Sequence, residues 1–146
     1  MERRRNRLHA RSANRPDMKL LLDTHALIWL VHAPDRLGDD GRAALASTDA
    51  EVYASHVSLW EMAIKRGSGK LTQLDRAAAE WFAYFVPRSG LRPLPIAAGP
   101  LGAVEDLPRL HNDPFDRLLV AQAREAGMTL ITLDRMVSQY DVAVIW

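Results

Sequence analysis

No cysteine occurs among the 146 residues. Disulfides, thiolate nucleophiles and cysteine-ligated zinc are therefore excluded, a composition that suits a reducing, cytoplasmic setting. Long apolar runs are missing too. Charge interrupts every one of them well short of the roughly twenty residues a membrane helix needs, so no membrane partner is expected. No GlyXaaGlyXaaXaaGly follows a strand, which leaves a dinucleotide site unsupported. GlySerGlyLys at 67–70 only imitates a phosphate loop, because Ile64 stands where the first glycine belongs and Leu71 replaces the serine or threonine.

An excess of charge of either sign is lacking overall, with a net +1, but charge is unevenly placed. Residues 1–17 carry six arginines against Glu2 and Asp17, for a local +4, and residues 18–146 carry −3. A mildly acidic body lacks the basic face on which nucleic-acid binders usually rest their affinity. Residues 1–17 read either as a disordered basic arm or as a mis-assigned start ahead of Met18, and the second reading is preferred because MetLysLeuLeuLeuAsp opens directly on a strand. Residues 18–146 fit one domain, and a chain of this size buries roughly two thirds of the surface its unfolded form exposes.

What is present is a regular alternation. Lys19 to Asp23 reads as a buried strand, Ala26 to His32 as a helix, Gly38 to Ser47 as a second helix and Glu51 to Ala54 as a strand. Ser55 caps a third helix that Gly67 stops, and Asp75 to Val86 is an apolar helix ended by Pro87 and Gly90. Leu91 to Ile96 reads as an edge strand, since Pro93 and Pro95 cannot donate to a central ladder. Gly99 to Asp106 reads as helical. Asp113 caps the next helix, with Pro114 at its first position and Gly127 past its end. Met128 to Thr132 is strand, Arg135 to Tyr140 a short helix and Val142 to Ile145 a last strand. Strands separated by helices predict a three-layer α/β domain with a mostly parallel central sheet flanked by helices.

Four acids, Asp23, Glu61, Asp116 and Asp134, stand where one apolar element gives way to the next. In an open parallel sheet, sites form beyond the carboxyl ends of strands where the strand order reverses, and Asp23 and Asp134 occupy such ends. Asp116 is the third helical residue after its cap, in the positive field of a helix start. If the fold gathers these carboxylates, they cannot all stay ionised in a dry pocket without a cation. Oxygen ligands favour Mg2+, with Mn2+ as an alternative.

Each residue also has a bland explanation. Ser58 and Glu61 match capping-box spacing, Asp113 caps a helix, and an aspartate at a strand end is commonly a loop residue. The set of four is harder to explain so. Thr24, Ser58, Thr132 and Asp113 are candidates for a supporting shell. His111 and Arg117 are candidates for holding a substrate phosphate. Trp29, Trp60 and Trp81 read as core residues and Trp146 as partly exposed.

The segments LeuLeuLeuAspThrHisAlaLeuIleTrp (20–29), SerLeuTrpGluMetAlaIleLys (58–65), HisAsnAspProPheAspArgLeuLeuValAlaGlnAla (111–123) and ThrLeuIleThrLeuAsp (129–134), in this order, resemble the PIN-domain ribonucleases. Within them the chain is most similar to the VapC-type toxins of type II toxin-antitoxin pairs. The resemblance runs from Met18 onward and departs from the pattern at none of the four acids. It implies that Asp23, Glu61, Asp116 and Asp134 are catalytic and metal-binding, that Mg2+ activates a water which Asp116 or Asp134 orients, and that RNA is cut to 5′-phosphate and 3′-hydroxyl ends. It also implies a homodimer and a small antitoxin whose apolar helix docks on the toxin, with Trp60, Ile64 and the Asp75 to Val86 helix as candidates for the receiving groove. Two alternatives stay open: a PIN-type nuclease in RNA processing without a toxin role, and a non-catalytic scaffold that binds RNA or a partner.

Overall fold

The computed structural model describes residues 18–146, and both readings of residues 1–17 fall outside the described residues. The chain runs β1 (Met18–Leu22), α1 (Thr24–His32), α2 (Asp39–Ala46), β2 (Ala50–Ser55), α3 (His56–Gly67), α4 (Ala78–Arg88), β3 (Arg92–Leu94), α5 (Ala98–Ala103), α6 (Pro114–Ala126), β4 (Thr129–Ile131) and β5 (Val144–Ile145). Among the described residues no helix is long and apolar enough to cross a membrane.

All four strand pairings are parallel, and the sheet order is β3-β2-β1-β4-β5. The reason β1 takes the centre lies in its LeuLeuLeu run. Side chains alternate faces along a strand; Leu20 and Leu22 enter one core cluster, with Val52, Met62, Trp81 and Phe82, while Leu21 enters the other, with Val57, Leu119, Val120 and Leu130. A strand apolar on both faces is stable only between two helical layers. The architecture is thus the three-layer α/β sandwich with a parallel sheet. From β1 the chain builds outward through β2 and β3, then returns to the other side of β1 as β4, so the strand order reverses between β1 and β4.

Several element ends differ from the sequence reading. Helix α1 starts at Thr24, two residues earlier, because the Asp23 side chain accepts from Ala26 N at 2.7 Å and caps it. Helix α4 spans Ala78–Arg88 with Pro87 inside its last turn; Asp75 pairs with its neighbour Arg76 and caps nothing. Gly90, at φ 72, supplies the left-handed residue that ends the helix. Helix α5 gives way after Ala103 to a 3-10 turn over Val104–Asp106, and the expected helix at 135–140 is only a 3-10 turn over Val137–Gln139.

Candidate active site

The reversal point carries a cleft of about 660 Å³, and Asp23, Glu61, Asp116 and Asp134 all line it, joined by Asp113, His111 and Lys65. Four elements deliver the acids: Asp23 leaves β1, Asp134 follows β4, Glu61 stands in the second turn of α3, and Asp116 in the first turn of α6.

The two deep acids are held by hydroxyls. Asp23 is 7% exposed and Glu61 3%. Thr24 Oγ1 donates to Glu61 Oε1 at 2.7 Å and lies 3.0 Å from the Ser58 hydroxyl. Thr132 hydrogen-bonds the Asp23 carboxylate, and its Oγ1 accepts from Asp134 N at 3.1 Å, linking the ends of β1 and β4. Burial pushes the Asp23 carboxyl above its ordinary range, with Glu61 adding to the rise, against the lowering pull of Thr132, Ala26 N and His25. Ser58 caps nothing, because Ser55 takes that place with its hydroxyl on Val57 N.

The two shallower acids are joined by an imidazole. His111 Nε2 lies 3.0 Å from Asp116 Oδ2 and 2.9 Å from Asp134 Oδ2. In the neutral ring Nδ1 accepts from Asp113 N, which leaves the proton on Nε2, between the two carboxylates. Asp113 caps α6 through Phe115 N and Asp116 N, and stands beside Asp116 in the cleft. Burial raises the Asp116 carboxyl to about 7, and repulsion from Asp113, Asp23 and Glu61 adds to this against the attraction of His111. Partial burial opposes the shift on His111 and on Asp134, yet their mutual hydrogen bond prevails; the imidazole is raised and the Asp134 carboxyl lowered.

His111 and Arg117, the residues expected to hold a phosphate, both make contacts within the protein. The His111 Nε2 is taken by the two carboxylates. The Arg117 guanidinium donates to the carbonyls of Pro108, Val104 and Leu107 and to the Tyr140 hydroxyl. Tyr140 also accepts from His111 N at 3.0 Å. Arg117 and Tyr140 therefore fasten the 104–111 loop that presents His111, a role the sequence did not signal.

Lys65 is the other residue missed. Its amine pairs with Glu61 Oε2, and although partial burial works against its charge, Glu61, Asp113 and Asp116 raise its pKa. The signal was legible, since a lysine four residues after a glutamate shares its helix face. Of the tryptophans, Trp81 is fully buried, but Trp60 is 47% exposed and rests edge-on against Phe115. Trp29 and Trp146 line the cleft. Ile64, like Trp60, is 47% exposed, whereas Trp81, Phe82 and Val86 of α4 belong to the core.

No curated protein matches the chain in sequence at a significant level. In structure it resembles VapBC2 from Rickettsia felis bound to a promoter DNA fragment, with a TM-score of 0.65 and 16% identity over 88% of this chain and 99% of that one. DNA-bound VapBC from Salmonella typhimurium gives 0.63 at 16% identity, covering 88% and 97%. FitAcB from Neisseria gonorrhoeae gives 0.54 at 19%, covering 87% and 96%. At such identities the likeness speaks for the fold. The sequence itself matches the PIN domain over residues 20–143, nearly all of the described chain. With the acids gathered at the strand-order reversal of this fold, the chain belongs to the PIN domain family.

Proposed function

We propose that this protein is a metal-dependent endoribonuclease that acts as the toxin of a toxin-antitoxin pair. The observation that carries the reading is the meeting of Asp23, Glu61, Asp116 and Asp134, from four elements, in one cleft. The donor set fits a divalent cation. Burial, with repulsion from Asp113, Asp23 and Glu61 added to it, raises Asp116 to about 7, and a cation among these carboxylates relieves the conflict. Mg2+ suits these oxygen donors, Mn2+ also. When bound there, such a cation compensates charge on the phosphate and lowers the pKa of water.

The protein's own groups supply the rest. Asp23, Glu61, Asp116 and Asp134 hold the cation. Asp116, once ionised, accepts the proton of the attacking water, as Asp134 beside it also can. Thr24, Ser58 and Thr132 fix the deep carboxylates so that little rearrangement is needed during reaction. Asp113 sets the start of α6 and hence Asp116. His111 bridges Asp116 and Asp134 by a shared N–H.

The toxin assignment is supported by the three structural neighbours named above, whose names place them in VapBC and FitAB complexes. For this chain we infer a small antitoxin that lays an apolar helix over the exposed Trp60 and Ile64, a homodimer and a cytoplasmic setting. The deciding experiment incubates purified, antitoxin-free protein with mixed RNA in magnesium or in EDTA, beside Asp23→Ala and Asp116→Asn. The expected result is cleavage that needs the metal and both carboxylates. Equal cleavage by either variant, or none by the parent, removes the reading. Brief expression in a host lacking the cognate antitoxin, with and without a co-expressed upstream partner, separates a toxin from a processing nuclease.

A further inference from the structure

Beside the acids the cleft has a second kind of lining that their chemistry does not use. His25, two residues past Asp23, lies 5.6 Å from Trp29 between ring centroids, and Trp29 lies 5.6 Å from Trp146. His25 and Trp29 are four residues apart on α1, so they share a face of that helix. All three rings line the same cleft as the carboxylates, and His25 is close enough to Asp23 to influence its ionisation. An aromatic wall therefore leads outward from the acids.

The position of Trp146 is prepared by the fold. A Cβ on Gly38 would stand 2.4 Å from the Trp146 carbonyl carbon and 2.6 Å from its ring Cδ1. Trp146 thus occupies a place that any larger residue at 38 would close. Packing of Trp29 and Trp146 against the neighbouring core cluster holds them still, which lowers the entropy lost when a flat ligand lands on one of them; their planes cross at 67°, so it faces a single ring.

We propose that this wall of His25, Trp29 and Trp146 is a stacking surface for an unpaired nucleobase adjoining the phosphate that is cut. The inference rests on the nuclease reading for the identity of the neighbouring phosphate. Two observations favour it. Among the described residues the cleft is lined by five carboxylates against Lys65 and Arg135, so phosphates gain little attraction from these side chains; apolar stacking is the further chemistry they offer to a nucleotide. The ring spacing also defines the mode. A base clasped between two rings needs about 7 Å, twice the carbon contact distance of roughly 3.5 Å, and 5.6 Å leaves no such slot. The base lies on the open side of the wall, where stacking accepts any base.

The test measures binding of a short labelled single-stranded RNA by anisotropy in the Asp116→Asn background, which preserves the RNA. Trp146→Leu and His25→Ala are compared with Trp146→Phe and with the otherwise unaltered background. Stacking on one ring accounts for roughly 5- to 150-fold in affinity. Trp146→Leu should weaken binding within that range, His25→Ala by less, and Trp146→Phe by about twofold at most. The RNA should quench tryptophan fluorescence, and the quench should shrink in Trp146→Phe. Duplex RNA of the same sequence should bind no better to the background than to the variants. The proposal is overturned if the background binds no single-stranded RNA, if folded Trp146→Leu and His25→Ala both match it, or if duplex and single strand lose affinity alike. Should Trp146→Leu fail to fold, the exposed His25 decides. Wall-dependent binding by a parent that cuts nothing would keep the stacking surface and remove the nuclease; cleavage unaffected by the wall would do the reverse.

Discussion

The two sides of the cleft use the same functional group under opposite conditions. Asp23 and Glu61 are almost fully buried, and hydroxyls, a backbone amide and Lys65 fix them. Asp116 and Asp134 stand nearer the solvent and depend on one imidazole proton for their spacing. The difference teaches that the deep pair is part of the scaffold, whereas on the shallow side Asp116 holds the electrostatic conflict a cation resolves and Asp134 is settled by His111. Removing a deep acid should harm the fold as well as the chemistry; removing Asp116 should relieve the fold while harming the chemistry.

The largest effect to look for is on cleavage. Asp23→Ala and Asp116→Asn should each lower magnesium-dependent RNA cleavage by about 100-fold or more, since a bound cation contributes several kcal/mol at the transition state. Thermal melting in EDTA should then separate them. Asp23→Ala removes the cap of α1 and should destabilise by about 1 kcal/mol, while Asp116→Asn should melt above the parent, and added magnesium should shrink that gap by stabilising only the parent appreciably. Variants that move together in EDTA would erase the contrast between the two sides.

The pH dependence of the metal-free protein sharpens it further. A carboxyl raised from 3.8 to about 7, as in Asp116, makes the fold less stable as pH climbs through that interval. His111, also raised, acts in the same direction, because the stabilisation from its charge is present below its ordinary value of 6.5 and fades as pH passes its folded value. Asp134 is lowered, so its contribution disappears only on acidification through 3.8 and below. Melts in EDTA from pH 4.5 to 8.5 should therefore fall toward the alkaline end, and Asp116→Asn should flatten the slope. A parent whose melting temperature rises across that range would contradict the assignment.

The smallest expected effect concerns Lys65. Its pairing with Glu61 is one a cation has to displace, so Lys65→Met should bind Mn2+ about two- to fivefold more tightly, the worth of a partly exposed ion pair. Calorimetric titration of Mn2+ checks this without reference to cleavage. Weaker binding by the variant would make Lys65 a supporter of the cation site instead of its competitor.

The layers and the strand alternation were legible because β1 is apolar on both faces and because Ser55, Asp113, Pro114 and Gly127 mark helix ends by chemistry that acts locally. The ends of α4 were not, since Pro87 is tolerated in a last turn and Asp75 has a nearer partner in Arg76. The same divide runs through the site. Asp23, Glu61, Asp116 and Asp134 stood out by their place between elements, and Thr24, Ser58 and Thr132 by adjacency to them. The role of Arg117 was hidden because its partners are backbone carbonyls at 104–108, which no side-chain pattern announces. Trp60 misled for a related reason: an aromatic residue on an amphipathic helix looks alike in sequence whether or not the fold covers it.

One consequence of the five-residue β1 concerns how this protein can change over evolutionary time. Its last side chain is followed immediately by a carboxylate that both starts a helix and enters the cleft, leaving no slack between scaffold and chemistry. Deleting one leucine would turn every remaining side chain of the strand to the opposite face and draw Asp23 inward by about 3.3 Å. Length variation should therefore be absorbed in the turns outside β1, while that strand keeps its residue count.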